Sequence, residues 1–193
     1  GEAANQHEFA GRQHRGWRAW EEGPTSRHSL YRSLWQLLQP LPETARREIL
    51  DELAAWSGAG PQDGADHRPL TIEEVIALAK GPLFEVGSHT ITHPVLSALP
   101  ADSQRDEIRQ SKAELEEILG DRVTSFAYPY GGKSNYTDET IAIVCEAGFT
   151  SACSTLAKVV ERGADRFQLP RLQVNDSNGE EFYRWLNLIQ TAG

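Results

Sequence analysis

His89 and His93 stand four residues apart in Gly87-Ser88-His89-Thr90-Ile91-Thr92-His93-Pro94, directly after the β-type run Leu83-Phe84-Glu85-Val86. Side chains at i and i+4 come together in one helical turn or a tight loop, so both imidazoles can address a single cation. Zinc is the first choice for such a pair, and imidazole also suits cobalt, nickel and iron. Two partly exposed loop histidines are the plainer alternative. Against it, the acidic run and Gly-Ser ahead of the pair, with Pro94 behind it, describe a fixed loop and not a solvated helix face. A metalloprotease helix is disfavoured, because its HExxH pattern needs a glutamate where Thr90 stands. A second constellation, Pro129-Tyr130-Gly131, also breaks off directly after a β-type run, Val123 to Tyr128. There, Tyr130 is either an aromatic packed on a strand end or a group facing a substrate.

The elements that must position these residues follow from local pattern. Thr71-x-x-Glu74 is a capping box and opens a helix carrying Val75, Ile76 and Leu78, which Gly81 ends. A long amphipathic helix from Asp102 to Leu119 turns Ile108, Leu115, Ile118 and Leu119 inward and stops at Gly120. Thr137 begins a helix with Ile141, Val144 and Cys145 that closes at Gly148. Phe149 to Thr155 and Leu169 to Val174 read as strands, and a last helix bears Phe182, Trp185, Leu186 and Ile189. Alternating strands and helices with short connections predict a parallel α/β sheet or barrel, whose sites lie at the carboxyl ends of strands. Both constellations fall there.

Ahead of this core, residues 1–29 form a polar arm and residues 30–68 a helical hairpin with its loop, the hairpin laid on the core of residues 69–193. Leu30, Tyr31, Leu34, Trp35, Leu37 and Leu38 make the first stripe up to Pro40, and Ile49, Leu50, Leu53 and Trp56 the second. Helix-face tryptophan is usually core, although Trp17, Trp20 and Trp35 could stack on a sugar.

Composition bounds the partners. Of 193 residues, 39% are apolar and 16 are glycine, a globular balance. With 19 Lys and Arg against 28 Asp and Glu the net charge is −9, so the basic footprint of a nucleic-acid binder is missing. No apolar run approaches a membrane span and no leader opens the chain. The cytoplasm is the expected compartment, or the exterior if a leader was removed. Cys145 and Cys153 read as buried thiols, with neither a disulfide framework nor a CxxC knuckle.

Taken together, Glu85 to Pro94 and Phe126-Ala127-Tyr128-Pro129-Tyr130-Gly131, with the later Glu146-Ala147-Gly148-Phe149, resemble the polysaccharide deacetylase family, the NodB-homology carbohydrate esterases. The resemblance extends over residues 70 to 175. It implies a distorted parallel (β/α) barrel that hydrolyses acetyl groups on glycans, N-acetyl ahead of O-acetyl, with a bound divalent metal, zinc first. His89 and His93 then match the metal histidines of the family's H[ST]xxH motif. Tyr130 matches the residue whose backbone N–H faces the acetyl oxygen, beside a rigid Pro129 that shares in substrate binding. Arg171 could fill the space of the motif arginine that Ala127 replaces here, giving Tyr130 and Arg171 catalytic roles.

The departures are as telling. The family's Asp-Asp strand end, which supplies the base and a third metal ligand, has no counterpart, since the chain contains no Asp-Asp pair. Of its six histidines none follows His93, so the late general acid is absent as well. The barrel is therefore expected to lack its first strand. Three explanations remain open: a fragment whose Asp-bearing strand lies upstream or on a partner chain, a shortened protein that binds metal or glycan without turnover, or an enzyme using other groups. The absence of methionine and the polar start favour the fragment. Should the arm donate a ligand, His7, Glu8, His14 and His28 are the candidates.

Overall fold

The computed structural model describes residues 23, 25–58, 68–174 and 178–191. The chain divides into two units, Gly1–Ser57 and Gly58–Gly193. Among the described residues, no helix is long and apolar enough to cross a membrane.

The first unit holds α1 (Ser26–Leu38) and α2 (Glu43–Ser57). Helix α1 begins four residues ahead of the Leu30 expected from the apolar stripe, because its first turn is polar and invisible to a hydrophobic period. This places His28 inside the helix, not in an arm. It is buried, with Nδ1 2.7 Å from Thr25 Oγ1. The apolar stripes show much of their surface: Leu37 is 68% and Trp56 86% exposed.

In the second unit α3 (Ile72–Ala79) opens on the expected capping box: Thr71 Oγ1 accepts from Glu74 N–H, and the Glu74 carboxylate accepts from Thr71 N–H. The same carboxylate is gripped by both amino groups of Arg68, at 2.8 and 2.7 Å. Together these donors hold the Glu74 pKa down at about 2. Helix α4 (Ala101–Leu119) ends on Gly120, whose φ of 66° is the left-handed conformation that makes glycine the favoured stop. Lys112 on α4 pairs with Glu116 and donates to Val123 O at 2.8 Å, while Val123 N–H donates to Glu116 at 3.0 Å. The end of the helix is thus tied to the start of the next strand.

Strands β1 (Ser125–Ala127) and β2 (Ser151–Cys153) pair in parallel, with Phe126 opposite Ala152. Single parallel bridges extend the row on both sides, Ser88 to Phe126 and Cys153 to Leu169. The order 88, β1, β2, 169 follows the chain, with α4 and then α5 (Asp138–Glu146) in the crossovers. This is the predicted parallel α/β arrangement, an open row among the described residues. Phe126, Tyr128, Ile108, Ile143, Val144 and Phe149 fill the core. Tyr128 stacks on Tyr136 at 4.0 Å and donates its hydroxyl to Phe167 O, and burial pushes both phenols up.

Two expected strands shrink to one bridge each. Leu83 sits in a turn and is 89% exposed. Pairing begins only past Gly87, where the backbones approach so closely that a Cβ would stand 3.2 Å from Ser125 O. Beyond Leu169 the next residue to face β2 is Arg171, and its N–H turns to Leu156 O. Cys145 is exposed and Cys153 partly so, not buried as expected. Thr140, Ile143 and Val144 take the inner face of α5, so the next position turns outward. The closing helix α6 (Gly179–Thr191) stacks Phe182 on Trp185.

Candidate functional site

Three of the four members of the parallel row deliver a predicted residue at their carboxyl ends: Ser88 is followed by His89, β1 by Pro129 and Tyr130, and the Leu169 bridge by Arg171. His89 Nδ1 lies 2.7 Å from the carbonyl oxygen of Ala127, the last residue of β1. A carbonyl only accepts, so the ring carries its proton on Nδ1 and presents the lone pair of Nε2. This is the arrangement found in metal-binding imidazoles, where a bond to the far nitrogen fixes tautomer and orientation. The rings of His89 and His93 meet edge to face with centroids 4.7 Å apart, and His93 meets Tyr130 in the same manner at 4.7 Å. The two constellations read separately in the sequence are therefore one cluster.

Backbone strain concentrates here. Among the described residues, the non-glycine positions at positive φ are Thr90 (68°), His93 (56°) and Tyr130 (61°). A left-handed residue other than glycine costs about 1–3 kcal/mol and persists only where its surroundings over-determine it. The surroundings can be named. Glu107, on α4, accepts from the amides of Ile91 and Thr92, both at 2.9 Å, and from Thr92 Oγ1 at 2.7 Å. Thr90 Oγ1 bonds His89 O at 2.5 Å and accepts from His93 N–H at 3.2 Å. One helical turn from Glu107, Ser111 Oγ donates to Ile108 O, and so accepts from Ser88 Oγ at 2.7 Å.

Tyr130 centres a three-residue turn in which Gly131 N–H donates to Pro129 O at 2.7 Å. With φ positive this is the rare, strained hand of that turn. Thr155, just beyond β2, holds it from the side: its N–H donates to Gly131 O and its hydroxyl to Tyr130 O, at 2.9 and 2.8 Å. Pro129 is buried and Tyr130 half-buried. Arg171 donates from Nε to Ser154 O at 2.8 Å, which fixes it at the same edge of the row.

The pair of imidazoles fits a divalent ion as two nitrogen donors with one tautomer set. Among the described residues, no His, Cys, Asp or Glu joins them in a group of three. His7, Glu8 and His14 lie outside the described residues, as do Trp17 and Trp20, and His28 belongs to α1. Sequence reasoning missed Glu107, Ser111 and Thr155. The signal available for Ser111 was its spacing of three from Ile108 and seven from Gln104, which puts these polar residues on the buried face of α4.

The polysaccharide deacetylase family model matches residues 63–152. Among solved structures, the fold resembles a Streptococcus pyogenes deacetylase, PplD, in complex with acetate: 23% identity, TM-score 0.54, covering 62% of this chain and 52% of that one. IcaB from Ammonifex degensii is 27% identical with TM-score 0.51, over 60% of this chain and 52% of that one. A polysaccharide deacetylase from Bacillus cereus is 22% identical with TM-score 0.53, over 62% and 37%. The chain thus spans about half the length of the first two and little more than a third of the third. No curated protein matches it in sequence.

Proposed function

We propose, from the premise that residues 63–152 are polysaccharide deacetylase sequence, that this chain carries part of a hydrolytic site removing acetyl groups from a poly- or oligosaccharide, N-acetyl in preference to O-acetyl. The observation that carries the reading is the His89 to Ala127 bond, which leaves Nε2 as ligand beside His93 and Tyr130. A divalent ion held by His89 and His93, zinc in the first instance, supplies a Lewis acid and a bound water of lowered pKa.

The protein's own residues do the rest. The strained turn at Tyr130 aims a backbone N–H at the oxygen that becomes negative as the acetyl carbon turns tetrahedral, a donor position of the kind worth about 10²–10³ in rate. Buried Pro129 keeps that strand end from relaxing, and Arg171 offers its guanidinium to the same developing charge. The third ligand and the general base come from outside the described residues, in this chain or a partner segment. A general base contributes about 10²–10⁴-fold, so without that group acetyl hydrolysis is slow or absent.

A second reading, a glycan-binding or assembly domain without turnover, draws on the same shortage of a third donor among the described residues. Acetate release from N-acetylglucosamine oligomers and from O-acetylated xylan separates the two. Chelator-sensitive release that appears or rises when an Asp-Asp-bearing segment is joined upstream supports the deacetylase. Saturable sugar binding that persists in chelator, with no acetate from either form, supports the binding domain.

A further inference from the structure

We propose that Glu107 is a positioning residue that holds the His89–His93 segment in its metal-receiving conformation; this rests on the histidine pair being the metal site. Its Oε2 accepts two successive amides, Ile91 and Thr92, and its Oε1 accepts the Thr92 hydroxyl, so one carboxylate takes three donors lying between the two histidines. Successive N–H groups beside a left-handed residue form a concavity that attracts negative charge, and Thr90 at φ 68° is that residue. A carboxylate from α4 takes these amides, which an exposed loop would otherwise leave to water. With those donors pinned, Thr90 and His93 are kept left-handed, and His93 is kept edge-on to His89.

The helix grips this segment twice. Glu107 and Ser111 are one turn apart on α4, and they bond Ile91 and Thr92 on one side of His89 and Ser88 on the other. His89 is thereby fixed between two anchors on a rigid element, while its ring is aimed by Ala127 O. The role proposed for Glu107 is exerted through the backbone that carries the imidazoles.

The test is calorimetric titration with zinc of the chain and of Glu107→Ala, Glu107→Gln, Thr92→Val and His89→Ala, with amide hydrogen exchange read at Ile91 and Thr92. Alanine suits a helix interior, so Glu107→Ala keeps α4. Outer partners of metal ligands are worth about 10–100-fold in affinity, and Glu107→Ala should lose about tenfold or more as both amides become fast-exchanging. Glutamine keeps a carbonyl oxygen for the two amides and its NH2 can donate to Thr92 Oγ1, so Glu107→Gln should recover most of the affinity. Thr92→Val, which removes one bond and leaves α4 alone, should show a smaller loss. Unchanged affinity in both Glu107→Ala and Thr92→Val, with zinc binding lost in His89→Ala, overturns the proposal and leaves the histidine site standing. No zinc binding by the chain, or binding equal in His89→Ala, overturns the histidine site and the proposal with it.

Discussion

The ring of Tyr130 meets the ring of His93 edge to face at 4.7 Å, across a separation of 37 residues in the chain. Both residues sit at positive φ, 61° and 56°. Each side of the contact is therefore a backbone conformation that a free chain would abandon, and each holds the other in place. Tyr130→Gly separates the two contributions. Glycine removes about 1–3 kcal/mol of strain, while loss of the aromatic contact costs about 0.5–1.5 kcal/mol. Thermal stability should stay close to that of the parent while zinc affinity falls, because His93 loses its neighbour. A melting temperature unchanged together with unchanged zinc affinity would show that the ring contact does nothing for the pair.

Gly131 follows in the same turn, at φ 64°, and a Cβ there would lie 2.7 Å from both the backbone N and the Cγ2 of Thr155. Backbone cannot swing aside as a side-chain tip can. Gly131→Ala should therefore cost about 2 kcal/mol or more in urea unfolding, above the usual range for a surface change. A loss below about 0.5 kcal/mol would mean that the Thr155 bonds do not fix this turn.

The sequence made the helices legible through chemistry that is local. Thr71 with Glu74, Thr137 at a helix start and Gly120 at a helix stop act within four residues, and the structure has all three. Strand length was less visible. Leu83 to Val86 and Leu169 to Val174 have apolar content, but a ladder needs backbone approach, which Gly87 admits and which ends where Arg171 N–H turns to Leu156 O. The histidine pair and Pro129-Tyr130 were legible as separate motifs; their meeting at the rings was not, since it depends on parallel pairing. The partners of Gln104, Glu107 and Ser111 were illegible for a related reason, although spacing puts Gln104 and Ser111 on the face of Ile108. A polar residue reads as solvated unless its partner is known, and theirs include Thr140, Thr92 and Ser88, each on another element.

The entrance to α3 should lose its ion pair only in strong acid. Glu74 is held at about 2 by Arg68 and Thr71, against 4.5 for the free group. A depressed folded-state pKa gives stabilisation that is complete above the unfolded value and is lost as pH falls from about 4.5 through 2. Carboxyl NMR titration should place the Glu74 midpoint well below 4.5, and Glu74→Gln should remove that acid-dependent step. A midpoint near 4.5 would mean that the exposed Arg68 pair is screened away in solution.

The two nitrogens of His89 have different tasks, and substitution can divide them. Asparagine places an N–H near the position of Nδ1, so His89→Asn can keep the bond to Ala127 O that ties the histidine loop to β1. It has nothing at the position of Nε2. His89→Asn should unfold within about 0.5 kcal/mol of the parent, as surface substitutions usually do, yet lose zinc binding. Glutamine reaches toward the position of Nε2 and gives up the Ala127 bond; its amide oxygen is a weaker ligand than imidazole nitrogen, so His89→Gln should lose both stability and metal. Zinc binding retained by His89→Asn would place the ligand elsewhere, and the Ala127 bond would then be a structural tether of an exposed loop.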